Sequence, residues 1–254
     1  MASLPSQRSK GNSGTVSEVS PVPIPIMKTI SRHYFGEEET KNVDIISADG
    51  DHRGFYIDII ENIEETYGMF VWPCSIALAE YVWQQRARFS GTTVVELGSG
   101  TSLPGFVAAK VGSSIVMTDN SDKLEVLDNI RATCELNKVK CEVMGLTWGK
   151  WDAPIFNLNP QIVLGADVFY DNKDFDDLFA TVTFLLQQSP GSVFITTYHN
   201  RSGHHRINFL ILKWGLKCEK LLDVFCFMPS HKAANLHGSI QLAEITLNVQ
   251  NFLM

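Results

Sequence analysis

Cysteine is scarce in this chain, and the five that occur (Cys74, Cys134, Cys141, Cys218 and Cys226) form no C-x-x-C pair. An odd number without that spacing fits neither a closed disulfide framework nor a zinc ligand set, so they read as reduced thiols of a cytosolic or nuclear protein. Any apolar run near the ~18 residues of a membrane span is also missing, because Asp, Lys, Asn or Gly interrupts every candidate. Positive charge is not in excess: a formal net charge of −7 argues against a broad nucleic-acid surface, which needs clustered Lys and Arg to displace counterions from phosphates. A basic protein partner suits this balance better. His204 and His205 have no Cys or carboxylate at ligand spacing, so they read as surface-loop histidines and no metal is expected.

What is present is enough apolar sequence, 44% of 254 residues, for one catalytic-size domain over residues 29–254. Residues 1–28, rich in Ser, Pro and Gly and without periodicity, read as a disordered tail. The first seventeen residues carry Arg8 and Lys10 and no acid, yet lack the amphipathic arginine-rich pattern of a transit peptide. "KTISRHYF" and "NVDIISADGDHRGFYIDIIENIE" then alternate as short strands, broken at Ala48-Asp49-Gly50-Asp51, which predicts a small β-hairpin preface. "PCSIALAEYVWQQRARF", led by Pro73, predicts one helix over residues 73–89. From "TTVVELG" onward strand-like and helix-like segments alternate, predicting an α/β fold with a mainly parallel sheet covered on both faces. The closing "SIQLAEITLNV" reads as a late antiparallel strand at or near an edge.

The stretch "VVELGSGTSLPG" places Gly98, Ser99 and Gly100 where a strand turns into a helix, the position at which open α/β sheets bind ligands. A lone G-x-G is also what any sharp turn needs, and Gly105 reads as a helix-to-sheet packing position. Asp119, nineteen residues after Gly100 at the end of the next strand, is placed for a carboxylate to accept both hydroxyls of a ribose. Glu96 separates the cofactor classes. An acid two residues before the first glycine would repel a pyrophosphate but welcome a cationic donor, and Leu103 replaces the third glycine of the dinucleotide fingerprint. S-adenosylmethionine, with an ammonium, a sulfonium and no phosphate, meets these conditions.

These residues resemble the seven-strand, Rossmann-like S-adenosylmethionine-dependent methyltransferases, whose first motif reads E/D-x-G-x-G. "YGMFVWPCSIALAEYVW", "VMTDNSD", "GLTWGKW" and "VLGADVFYD" follow the order found in the methyltransferase-like group that modifies lysine or arginine in proteins. The resemblance covers roughly residues 55–248. It implies cofactor contacts from Trp72, Trp148 (against the adenine) and Ala166, beside Glu96, Gly98, Ser99, Gly100 and Asp119. It also implies a reaction site at Asp167 and Tyr170, the D-x-x-Y spacing; Trp151 reads as packing. For Asp167 alone, a helix N-cap is the competing reading. The implied acceptor is a basic protein in cytoplasm or nucleus: histone H3 arginine in one branch, lysines of non-histone proteins in others. The double-glutamate hairpin of the main arginine-methyltransferase family is absent, so Asp167 and Tyr170 fit either acceptor.

Tyr198, His199 and Arg201, after a strand on the same side, are placed to admit substrate. Asp171, Asp174, Asp176 and Asp177 read as a solvated helix start that also favours a basic peptide. Intact Glu96, Asp119 and Asp167 favour an enzyme over a cofactor-binding module without turnover. An NAD-dependent oxidoreductase ranks lower, for want of a phosphate-compatible turn.

Overall fold

The computed structural model describes residues 28–36, 45–46, 52–62, 67–201 and 205–248. The tail reading for residues 1–27, the turn at residues 48–51 and His204 lie outside the described residues. Among the described residues no helix is long and apolar enough to cross a membrane.

The preface is a three-stranded sheet in the order β1-β3-β2: β1 (Lys28–Gly36), β2 (Ile45–Ile46) and β3 (His52–Asn62). The expected pairing of "II" with the strand after the turn is present but short. The long ladder instead joins β1 to β3, antiparallel from Lys28↔Asn62 to Gly36↔Gly54. Phe35, Phe55, Ile57 and Ile59 share one buried face, which anchors the β1–β3 ladder to the core. Asn137 locks the sheet to the main body: its Oδ1 accepts from Asp58 N (2.8 Å) and its Nδ2 donates to Asp58 O (2.7 Å).

The predicted helix over 73–89 is two helices, α1 (Pro73–Gln84) and α2 (Arg86–Phe89), broken at Gln85, whose φ −98° and ψ 21° leave the helical basin. The change of direction buries Phe89 completely and brings Arg88 onto Glu244 at 2.9 Å. There follow β4 (Thr93–Glu96), α3 (Leu103–Lys110), β5 (Ser114–Asp119), α4 (Leu124–Leu136), β6 (Glu142–Gly145), β7 (Ile162–Ala166) and α5 (Phe175–Gln188). The chain continues through β8 (Val193–His199), α6 (His205–Lys213), β9 (Leu216–Asp223), α7 (Ser230–Ala233) and β10 (Ile240–Leu247). His205 thus opens a helix rather than lying in a loop.

The seven strands run in the order β6-β5-β4-β7-β8-β10-β9, parallel from β6 to β8, with β10 antiparallel between β8 and β9. Alternation along β4 divides the core: Val94 faces α1, α3 and the preface, while Val95 faces α5 and α6. The late strand is near an edge as expected, and β9 forms the edge itself. The order reverses between β4 and β7, so the loops after these strands diverge and leave a crevice at their carboxyl ends.

Candidate cofactor and acceptor site

The glycine turn occupies that crevice. Gly98 and Gly100 have φ of 57° and 52°, the left-handed region that glycine enters without a Cβ penalty. A Cβ on Gly98 would come within 2.8 Å of Trp148 Cζ2, and one on Gly100 within 3.0 Å of the Gly68 carbonyl oxygen. Ser99 ties the turn to the next strand: its N–H donates to Thr118 O (2.9 Å), and its Oγ accepts from Thr118 N (3.1 Å). Asp119 clamps the turn, its Oδ2 accepting from Gly100 N and its Oδ1 from Asn120 N, both at 2.8 Å. Burial raises the Asp119 pKa, and these two N–H donors oppose the rise. Each carboxylate oxygen keeps a lone pair for a diol.

Glu96 lies beneath the turn, 1% exposed, and accepts a hydrogen bond from the Ser102 hydroxyl. A Cβ on Gly105 would collide with Glu96 Oε2, so this glycine packs against the acid. Burial pushes the Glu96 pKa up to about 8, so the acid is largely protonated at neutral pH. The sequence reading took Glu96 for a standing anion; burial makes its charge conditional on a cation arriving. Its Oε1 is buried without a hydrogen-bond partner, which fits a pocket that receives an ammonium.

Trp148 is half-buried over Gly98, with the Tyr170 ring centroid 6.4 Å away. Asn120 and Thr147 brace this wall, the Thr147 hydroxyl meeting Asn120 Oδ1 at 3.1 Å; sequence reasoning singled out neither. Trp72 precedes α1, its carbonyl accepting from Ser75 N (2.9 Å) and its ring edge-on to Phe70 at 5.7 Å. Trp151, 47% exposed, lies 5.0 Å from Phe184 in a surface cluster away from the turn.

Ala166 ends β7, and the chain then turns through Asp167, a non-glycine residue at φ 52° held by its N–H to Thr197 O (2.7 Å). The N-cap position of α5 belongs to Asp174, so Asp167 is not that cap. Val168 returns the loop to the glycine turn, its Cγ1 3.3 Å from where a Cβ on Gly98 would be. Asp167 is 7% exposed; its Oδ2 meets Arg201 Nη2 at 3.1 Å, and its Oδ1 is buried without a hydrogen-bond partner. Tyr170 stands on the rim, 64% exposed.

Cys74, not read as a site residue, joins this group: Cys74, Asp167 and His199 bring one ligand-type atom each within 4.8 Å of one another. Burial and then the Asp167 charge push the Cys74 thiol pKa up, keeping it neutral. The Arg201 guanidinium and the amino end of α1 supply positive potential here, which disfavours a divalent ion at this cluster. Nothing in linear spacing could have joined Cys74 to Asp167, because helix and loop meet only across the sheet. Of the helix-start acids, Asp171 pairs with Lys173 (2.8 Å) and Asp176 with Lys213 (2.5 Å), the solvated-face arrangement.

A groove of about 330 Å³ at the opposite end of the sheet, lined by Thr93, Glu142, Asn157 and Pro160 among others, contains none of these residues.

Comparison with known proteins agrees with this geometry. A family profile described as lysine methyltransferase matches residues 52–214. The histone-arginine methyltransferase METTL23 of Xenopus laevis is 41% identical over 170 residues, covering 66% of this chain and 73% of that protein. Its Mus musculus counterpart is 44% identical over 154 residues, covering 60% and 61%. Among solved structures, the CcbJ methyltransferase of Streptomyces caelestis superposes with a TM-score of 0.54 at 12% identity, over 72% of this chain and 93% of that one, a likeness of fold. With its glycine turn, the acid that ends the next strand and the buried acid beneath the turn, the chain belongs to the lysine methyltransferase family, as a METTL23-like, S-adenosylmethionine-dependent protein methyltransferase.

Proposed function

We propose that this protein methylates arginine in a basic protein tail, histone H3 being the first substrate to test, in the nucleus and cytoplasm. One observation carries the reading: Asp167, almost fully buried beside the glycine turn, presents a carboxylate oxygen with no hydrogen-bond partner. An unsatisfied buried acceptor is costly, and a side-chain cation offsets that cost. The relatives named as histone-arginine methyltransferases, and the net charge of −7, favour a basic protein over nucleic acid.

Gly98, Ser99, Gly100, Asp119, Trp148, Trp72 and Ala166 would hold the cofactor, with Glu96 available to a cationic group. When bound, S-adenosylmethionine supplies an electrophilic methyl group that an in-line nucleophile displaces from sulfur. The protein's own task is alignment, which can account for a large part of the rate. Arginine stays protonated up to about pH 12, so its charge must be localised away from the attacking nitrogen. Asp167 does this by hydrogen-bonding the distal nitrogens, while Tyr170 walls the approach.

A single acid with the Phe169 carbonyl and Tyr170 also suits an ammonium, the acceptor for which the lysine methyltransferase family is named. Incubation of the purified protein with labelled S-adenosylmethionine, histone H3 and a nuclear plus cytosolic extract, followed by mass-spectrometric mapping, separates the two. Label on arginine is expected; label confined to lysine overturns the arginine assignment.

A further inference from the structure

An arginine already occupies the acceptor side of the site. Arg201 sends Nη2 to Asp167 Oδ2 (3.1 Å) and Nη1 to the Phe169 carbonyl oxygen (3.3 Å). Both acceptors belong to the β7–α5 loop that carries Tyr170. We propose that Arg201 is an internal placeholder for the substrate, and that an entering alkylguanidinium displaces it and takes over the Asp167 carboxylate. The proposal rests on the arginine reading above and assigns the acceptor subsite to the Asp167 carboxylate, the Phe169 carbonyl and the surroundings of Cys74 and His199.

Three features make exchange favourable. The placeholder can leave: the Arg201 side chain is 40% exposed, whereas that of Asp167 is 7% exposed. Its backbone need not move, because Asn200 N–H stays bonded to Ser239 O at 2.8 Å. Exchange also strands no charge, since one guanidinium replaces another on the same buried carboxylate and the penalty of an unpaired buried anion never arises. Finally, Arg201 divides its donors between Oδ2 and a carbonyl and leaves Oδ1 without a partner. A substrate guanidinium approaching as a fork can engage both carboxylate oxygens, and satisfying a buried orphan acceptor corresponds to roughly tenfold or more in the exchange constant. Selection follows from the same competition. A neutral side chain cannot replace Arg201 without stranding Asp167, and an ammonium lacks the planar fork that reaches both oxygens.

The test is calorimetric titration of methylguanidinium, without cofactor, into the full chain and its Arg201→Ala variant, with Arg201→Gln as a second variant should Ala destabilise the fold. The placeholder predicts at least about tenfold tighter binding once Arg201 is removed. It also predicts a smaller gain for methylammonium, and loss of the gain in Arg201→Ala/Asp167→Asn. With cofactor, the KM for an H3 peptide falls by a similar factor. Equal methylguanidinium affinity in wild type and both variants, or a collapse of kcat with KM unchanged, overturns the proposal and makes Arg201 a positioning residue. The two readings fail separately. Tighter methylguanidinium binding with label only on lysine removes the arginine assignment and keeps the placeholder; arginine label with affinity indifferent to Arg201 does the reverse.

Discussion

Replacing Glu96 with Gln tests whether the acid beneath the glycine turn is protonated until a cation arrives. Burial pushes the carboxyl up to about 8 from the ordinary 4.5 of a glutamate. The folded state therefore binds the proton more tightly than the unfolded chain. The resulting stabilisation is complete below about pH 4.5 and is lost as pH rises through about 8. Integrated between about pH 6 and about pH 8.5, the loss is on the order of 2.5 kcal/mol. For a chain of this size that is about 5–10 °C in Tm. Glu96→Gln keeps the shape and an acceptor for the Ser102 hydroxyl but cannot ionise, so this part of the pH dependence should vanish.

Thermal unfolding of both proteins across that range measures the difference directly. A wild type whose Tm declines more steeply than the variant's, by about the stated amount, is expected; parallel curves would refute the buried, protonated state. Cofactor binding near pH 7 adds an independent check. A cation above Glu96 lowers its pKa, so wild type should release about one proton per cofactor bound, seen as a dependence of the calorimetric heat on buffer ionisation enthalpy, and Glu96→Gln none.

Asp119→Asn removes the charge that clamps Gly100 and, in the proposed site, would accept the ribose hydroxyls; it should weaken cofactor binding by about 10- to 100-fold, and unchanged calorimetric affinity would contradict the ribose assignment. Gly98→Ala forces a side chain into the left-handed region and against Trp148, so it should lower stability by about 1–3 kcal/mol and abolish cofactor binding. Placed in a Trp148→Ala background, the same change should recover only the steric part, measured by denaturant unfolding. Cys74, buried and with its pKa raised, should be the last thiol alkylated by iodoacetamide under native conditions, after the exposed Cys226; early labelling of Cys74 in a mass-spectrometric time course would contradict its packing.

The cofactor side was legible because it is built from short-range pattern. A G-x-G at a strand end, an acid at the next strand end and the 2.0 and 3.6 periodicities are local, and each restricts the backbone before any tertiary contact forms. The turn at Gly98 and Gly100, the strand ends at Glu96 and Asp119, and the late strand over residues 240–247 therefore fall where periodicity places them. Element lengths were less legible. The break at Gln85 depends on Phe89 and Arg88 finding partners across the fold, and the length of the β1–β3 ladder on the buried apolar face it packs against the core.

What the sequence by itself determined is the class of fold and cofactor. Charge state and the grouping of side chains around Asp167 were decided by the tertiary structure alone. Glu96 is an anion on paper and a largely protonated acid under the turn, because desolvation is a property of everything packed around it. Cys74, Asp167, His199 and Arg201 meet only where α1, the β7–α5 loop and the end of β8 converge. Over that distance side-chain identity carries no positional information until the sheet has formed.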